Sequence, residues 1–107
     1  MSPPDSITAI FAKRLKGARA MRGLSQRALG ALVDKGHSKD RGAVRVNRFE
    51  QQVNRADMDT AAALAKALDV PVAYLFAETD DLAELILAYS KLDADQKAAL
   101  LSSIKRD

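Results

Sequence analysis

Apolar residues recur along this chain three and four positions apart, and no stretch shows the two-residue alternation of a strand. Ile7, Ile10, Phe11, Leu15, Ala18 and Met21 line one side of a predicted helix that runs from a Ser6 cap to about Arg22. Lys13, Arg14, Lys16 and Arg22 fall mostly elsewhere on it. Gly23 suits a left-handed helix stop, after which Leu24 turns back onto the core. Ser25 is an N-cap for a short helix over 26–33, with Leu29, Leu32 and Val33 on its apolar side. Residues 34–39 read as a polar loop. Asp40 then caps a helix over 40–54, in which Gly42, Val46, Phe49 and Val53 repeat at core-facing intervals. After a loop at 54–56, Asp57 caps a helix over 58–68 packed through Ala62, Leu64, Ala65 and Leu68, and Asp69 ends it. Pro71 opens a short turn as its first residue, and that turn delivers Tyr74, Leu75 and Phe76 to the core. Thr79 caps a helix over 80–91 with an apolar stripe of Leu82, Leu85, Ile86 and Tyr89. Asp93 and Gln96 have the spacing of a capping box for a last helix to about Ile104. The expected fold class is all-α.

Composition narrows the picture. The 107 residues suffice for one domain with a modest core, built from Ala, Leu and Val rather than aromatics. There is no cysteine, so neither a disulfide framework nor a thiolate metal site is expected, and the chain is compatible with a reducing cytoplasm. No apolar run approaches a membrane span, and the N-terminus lacks the order of a secretion signal. Residues 1–5, with Pro3 and Pro4, read as a loose tail.

Charge changes the picture more. The net charge is +3, but residues 1–55 carry twelve Lys and Arg against four acids, and residues 56–107 carry five against ten. A chain of +8 and −5 halves is expected to turn its basic half toward a polyanion. Three of the twelve, Arg41, Arg45 and Arg48, fall on the helix over 40–54. Arg41, Arg45, Arg48 and Gln52 repeat at the intervals of the apolar set but on a different side, with no acid among them. A guanidinium is a rigid donor fork that fits phosphate oxygens or the O6/N7 edge of guanine. An ordinary amphipathic helix with a solvated basic face would have the same pattern. Gln26 begins the preceding helix, where backbone N–H groups and the helix dipole favour a phosphate. Arg27, Asn54 and Arg55 complete the candidate DNA-binding set. His37, a single loop histidine, is expected to be neither a metal ligand nor a base, and no cofactor or metal is expected.

Short helix, cap, short helix, loop, basic helix is a helix-turn-helix order. Within it, FAKRLKGARAMRGLSQRAL, VNRFEQ and TAAALAKALDVPVAYLF resemble the lambda-repressor-like (Cro/XRE-type) helix-turn-helix domains over about residues 10–77. The resemblance implies a five-helix DNA-binding domain at 6–77, usually dimeric on a two-fold operator, with a C-terminal helical pair at 78–107 as a dimerisation element. It implies that Gln26 holds a phosphate and that Val44, Arg45 and Arg48 face the major groove. It also implies that Arg19 pairs with Glu50, the one acid between Asp40 and Asp57. The chain departs from the family in its spacing: Gln26 and Glu50 lie several residues further apart than usual, with GHSKDR as the insertion. Residues 34–41 are therefore either a true loop or an added turn of the basic helix.

These features predict a cytoplasmic, sequence-specific transcriptional regulator, a repressor, that binds double-stranded DNA as a homodimer through Leu82, Leu85, Ile86 and Tyr89. The alternative is an antitoxin or adaptor whose main partner is a protein, held at the acidic half. An enzyme is not expected: the sequence offers no nucleophile–base pair, Gly-rich phosphate loop or ligand cluster, and Asp93 and Asp95 belong to a helix start.

Overall fold

Local signals place the helix ends, and the computed structural model describes residues 6–34 and 39–106. The described elements are α1 (Ile7–Met21), α2 (Gln26–Val33), α3 (Lys39–Glu50), α4 (Met58–Leu68), a 3-10 turn (Val72–Phe76), α5 (Asp80–Ser90) and α6 (Ala94–Lys105). There is no strand among the described residues, so the chain is all-α. Ser6, Ser25, Asp57, Thr79 and Asp93 each accept a backbone N–H from three residues ahead, and Asp93 with Gln96 completes a capping box. Gly23 takes the left-handed conformation after α1, at φ 68°, and the Leu24 N–H reaches back to the Arg19 carbonyl.

Phe11, Leu15 and Ala18 of α1 meet Leu29 of α2, Val46 and Phe49 of α3, Ala61, Leu64, Ala65 and Leu68 of α4, and Tyr74 and Leu75 of the 3-10 turn. This core holds α2 and α3 in a fixed relation. The two helices touch backbone to backbone: a Cβ added to Gly30 would lie 2.3 Å from the Gly42 carbonyl carbon, and one added to Gly42 would lie 2.7 Å from Gly30.

Several expected positions are corrected. α3 begins at Lys39, so Asp40 sits inside its first turn rather than capping it. The helix ends at Glu50, where Gln52 turns left-handed at φ 63° and the Val53 N–H bonds the Arg48 carbonyl at 2.9 Å. Val53 is thereby carried out of the apolar stripe and is 68% exposed. Ile7, Met21 and Leu32 face outward, while Arg14 is buried. On α4, Ala61 is in the core and Ala62 is exposed. Pro71 is the cap of the 3-10 turn rather than its first residue. Phe76 stays partly exposed, tilted against Phe11 at 5.5 Å. His37, with Gly36 and Ser38 at the start of the inserted stretch, lies outside the described residues, as does the tail at 1–5; the insertion's last residues, from Lys39, are helical.

α5 is pinned at its start. Arg14 donates from Nε to the Ala77 carbonyl at 3.0 Å and from Nη1 to Asp80 at 2.9 Å, and Lys13 adds a bond to Asp80 at 3.0 Å. Hydrogen bonds from Lys13 and then Arg14 hold the Asp80 carboxyl below its ordinary range. Ala83 is buried, with Ile86 and Leu87 against the core. α6 buries no residue, and the molecule measures 51 × 31 × 23 Å.

Candidate nucleic-acid interface

α3 is a helix with a used face and an outward face. Gly42, Val46, Phe49 and Glu50 are buried; Arg41, Val44, Asn47 and Arg48 are exposed. The outward face begins beside the inserted stretch and ends at the turn carrying Gln51 and Gln52, with exposed Asn54 and Arg55 just beyond. It therefore presents guanidinium groups, one amide and one aliphatic side chain along about three helical turns.

A polar network on the opposite edge locks this face in place. Arg19 donates from Nε to Glu50 Oε2 at 2.8 Å and from Nη2 to Oε1 at 3.1 Å, a two-point fork. Its Nη1 also bonds the Leu24 carbonyl at 3.0 Å, tying the α1–α2 turn into the network. The Glu50 side chain is 1% exposed and that of Arg19 20%. The hydrogen bond to Glu50 raises the Arg19 guanidinium above its ordinary value, against the opposing effect of burial. Gln26, the first residue of α2, turns its amide nitrogen inward to Glu50 Oε1 at 3.1 Å and to Asn47 Oδ1 at 3.2 Å. The structure thus brings Arg19, Gln26, Asn47 and Glu50 together across three helices. Asn47 lies outside the sequence-derived set, although it stands three residues from Val44 on the same face.

The basic residues divide into two groups that charge counting cannot separate. Arg14 and Arg22 are structural. Arg22 closes the end of α4, donating from Nε to the Leu68 carbonyl at 2.8 Å and from Nη2 to the Asp69 carbonyl at 2.7 Å. Arg27 faces solvent with Asp40 at 3.9 Å, and Arg48 and Arg55 are exposed. Arg41 is exposed at the start of α3.

Arg45 is corrected from the sequence-derived arrangement of one continuous Arg stripe facing away from the core. Its Nη1 is paired with Asp34, and its guanidinium lies 5.6 Å over the Phe49 ring. The reason is the wheel itself: Arg45 stands four residues before Phe49 on the flank of the buried face. Asp34, expected only as the first residue of a polar loop, ends α2 and supplies the partner. Arg45 also pulls weakly on Asp57, whose carboxyl is held low first by its cap hydrogen bonds from Thr60. Gln52 is corrected too: the left-handed turn takes it off the helix on which the stripe was counted.

Leu82 and Leu85 of the expected dimerisation set are exposed, while Ile86 and Tyr89 are half-buried. Leu85, Ile86 and Tyr89 form one wall of a groove of about 610 Å³ whose other wall is Leu100, Leu101 and Ile104 of α6. Among the described residues no three His, Cys, Asp or Glu side chains gather as a metal site. No described helix is long and apolar enough to cross a membrane.

No family model matches the chain, and no curated protein does. Among solved structures, the chain is similar to the crystal structure of transcriptional regulator BswR, at 40% identity and a TM-score of 0.79. The match covers 88% of this chain and 91% of that one.

Proposed function

The chain belongs to the family of transcriptional regulator BswR, and from that premise we propose that it is a DNA-binding regulator of the lambda-repressor-like helix-turn-helix type. The observation that carries the reading is the outward face of α3. It is fixed from behind by the Arg19–Glu50 fork and the Gly30–Gly42 contact, and it turns exposed Val44 and Arg48 outward. In this reading α3 lies in the major groove. Arg48 reads a guanine edge or grips a phosphate, and Val44 meets a thymine methyl. Asn47 offers an amide to the same groove. Gln26 brings the N-terminus of α2 to a phosphate, and Arg27, Arg41, Asn54 and Arg55 contact the backbone on either side. The function is binding rather than catalysis, and it belongs in the cytoplasm, where the DNA is.

A second copy completes the reading. A helix of 12 residues is marginal in water without packing, and α6 has no buried residue of its own. Its apolar side and that of α5 line the same groove. Asp81 and Glu84 lie at the start of α5, while Lys97, Lys105 and Arg106 lie on or after α6, so two copies can pair opposite charges across a two-fold axis. Such a dimer binds a two-fold operator and represses by occupying it. An exposed apolar groove also suits a partner of another sequence, which is the form the antitoxin or adaptor reading takes.

Selection of duplexes from a random-sequence pool by the purified protein tests the proposal. One enriched motif is expected. Against it, Arg48→Ala should lose about 1–3 kcal/mol if the contact is to a base, with specificity relaxed at one position. If it is to a phosphate, all sequences should weaken alike and the salt slope should fall by about 1 per half-site. An Arg48→Ala variant that binds the motif as wild type does removes α3 from the interface.

A further inference from the structure

We infer that Asp34 and Arg45 form a brace that sets the rotation of α3, and that Arg45 acts on DNA through this brace rather than by touching it. The inference rests on the DNA-binding reading above and assigns a positioning pair to the same site.

The brace lies on one seam. Asp34 is one helical turn beyond Gly30, and Arg45 is just under one turn beyond Gly42. Gly30 and Gly42 are the points where α2 and α3 touch through bare backbone. Two glycine surfaces bring helix axes close, but they have no ridges to interlock. Such a contact fixes the distance between the helices; the buried Val46 and Phe49 and the Arg19–Glu50 fork hold α3 on one side, and its rotation is completed by what holds the flank along the seam. Arg45 and Asp34 meet one turn along the seam and join the last residue of the α2 unit to the middle of α3.

Asp34 is held on its own side. Its N–H bonds the Gly30 carbonyl at 2.8 Å, and its side chain is 12% exposed. Arg45 is held on the other side by the Phe49 ring, itself edge-to-face with Phe11 in the core at 6.4 Å. An arginine that left for a phosphate would give up that ring and strand a nearly enclosed carboxylate, which is unfavourable. The side chain of Arg45 is 40% exposed, and the part that is covered lies against Asp34 and the Phe49 ring. The guanidinium is therefore a strut across the α2–α3 seam. What it sets is the direction in which Val44, Asn47 and Arg48 leave the helix.

The test is a double-mutant cycle in binding. Wild type, Asp34→Ala, Arg45→Ala and the double variant are measured on the duplex that wild type selects and on random duplex, across a salt series. Circular dichroism first establishes that each is folded. Expected is a loss on the selected duplex of about tenfold for either single variant, with the double variant no worse than the worse single one. Salt slopes should match wild type, because no phosphate contact is removed. Binding to random duplex should barely change. The charge-swapped Asp34→Arg, Arg45→Asp variant should regain affinity over Arg45→Asp alone. A fall in salt slope of about 1 per half-site in Arg45→Ala, with Asp34→Ala unaffected or tighter, makes Arg45 a direct contact and overturns the inference. A wild-type protein that selects no sequence overturns the DNA-binding reading, and this inference with it.

Discussion

Arg19 and Glu50 show how one ion pair does asymmetric work. The carboxylate is enclosed and takes three hydrogen bonds, two from Arg19 and one from Gln26. The guanidinium keeps a fifth of its surface in water and holds a second acceptor, the Leu24 carbonyl. Losing the two partners should therefore cost differently. Arg19→Ala leaves a buried carboxylate with one neutral amide and is expected to destabilise by about 3–5 kcal/mol. Glu50→Ala leaves an arginine that can still reach solvent, and the expected loss is smaller. Urea denaturation of both variants gives the order, and equal or reversed losses would show that the burial of Glu50 is not the controlling term. The same residue scale separates Arg22 and Arg14 from Arg48. All three are cations in one basic half, but the first two donate to carbonyls at the start or end of other helices.

At the scale of elements, the α2–α3 crossing depends on absent side chains. Gly→Ala inside a helix ordinarily stabilises by about 1 kcal/mol, because alanine is the better helix former. At Gly30 the sign should reverse. The new Cβ would fall 2.3 Å from the Gly42 carbonyl carbon and 2.6 Å from its oxygen, both backbone atoms that cannot rotate away. The helices must separate, and overpacking of this kind costs about 1–3 kcal/mol or more. Gly30→Ala is expected to melt lower than wild type and to lose binding to its selected duplex beyond that loss, because the outward face moves with α3. Thermal unfolding together with binding at a temperature where the variant is fully folded decides it. A Gly30→Ala protein as stable as wild type would mean that the crossing is looser than described. Gly17→Ala is a control, since its Cβ would meet only the Tyr74 hydroxyl, at 3.7 Å.

At the scale of the whole molecule, the basic and acidic halves have separate tasks in the proposed reading: α1–α3 face DNA, and α5 with α6 face a second copy. Sedimentation at micromolar concentration should give a dimer. Leu85→Glu should shift it toward monomer, since it places a carboxylate on the groove wall without touching the core. Affinity for the two-fold motif should fall with the dimer. A monomer that remains monomeric on its selected duplex would remove the groove from the dimer and favour a partner of another sequence.

The sequence by itself determined what depends on near neighbours in the chain. Caps at Ser6, Ser25, Asp57, Thr79 and Asp93 were legible because a short polar side chain satisfies an N–H three residues on, and Gly23 because a left-handed stop favours glycine. The all-α class followed from the period of the apolar positions. The end of α3 was not legible, because its left-handed residue is Gln52, whose identity gives no such signal, and the apparent stripe ran on to Val53. Tertiary structure alone decided which cations serve the fold. A helical wheel reports the face an arginine occupies but not whether a carboxylate or a backbone carbonyl from another element stands within reach. Asp34 beside Arg45, Ala77 and Asp80 beside Arg14, and Leu68 and Asp69 beside Arg22 are such pairings. The Gly30–Gly42 contact is of the same kind. Each glycine lowers helix propensity when read alone, and its value arises only when a second helix crosses at backbone distance.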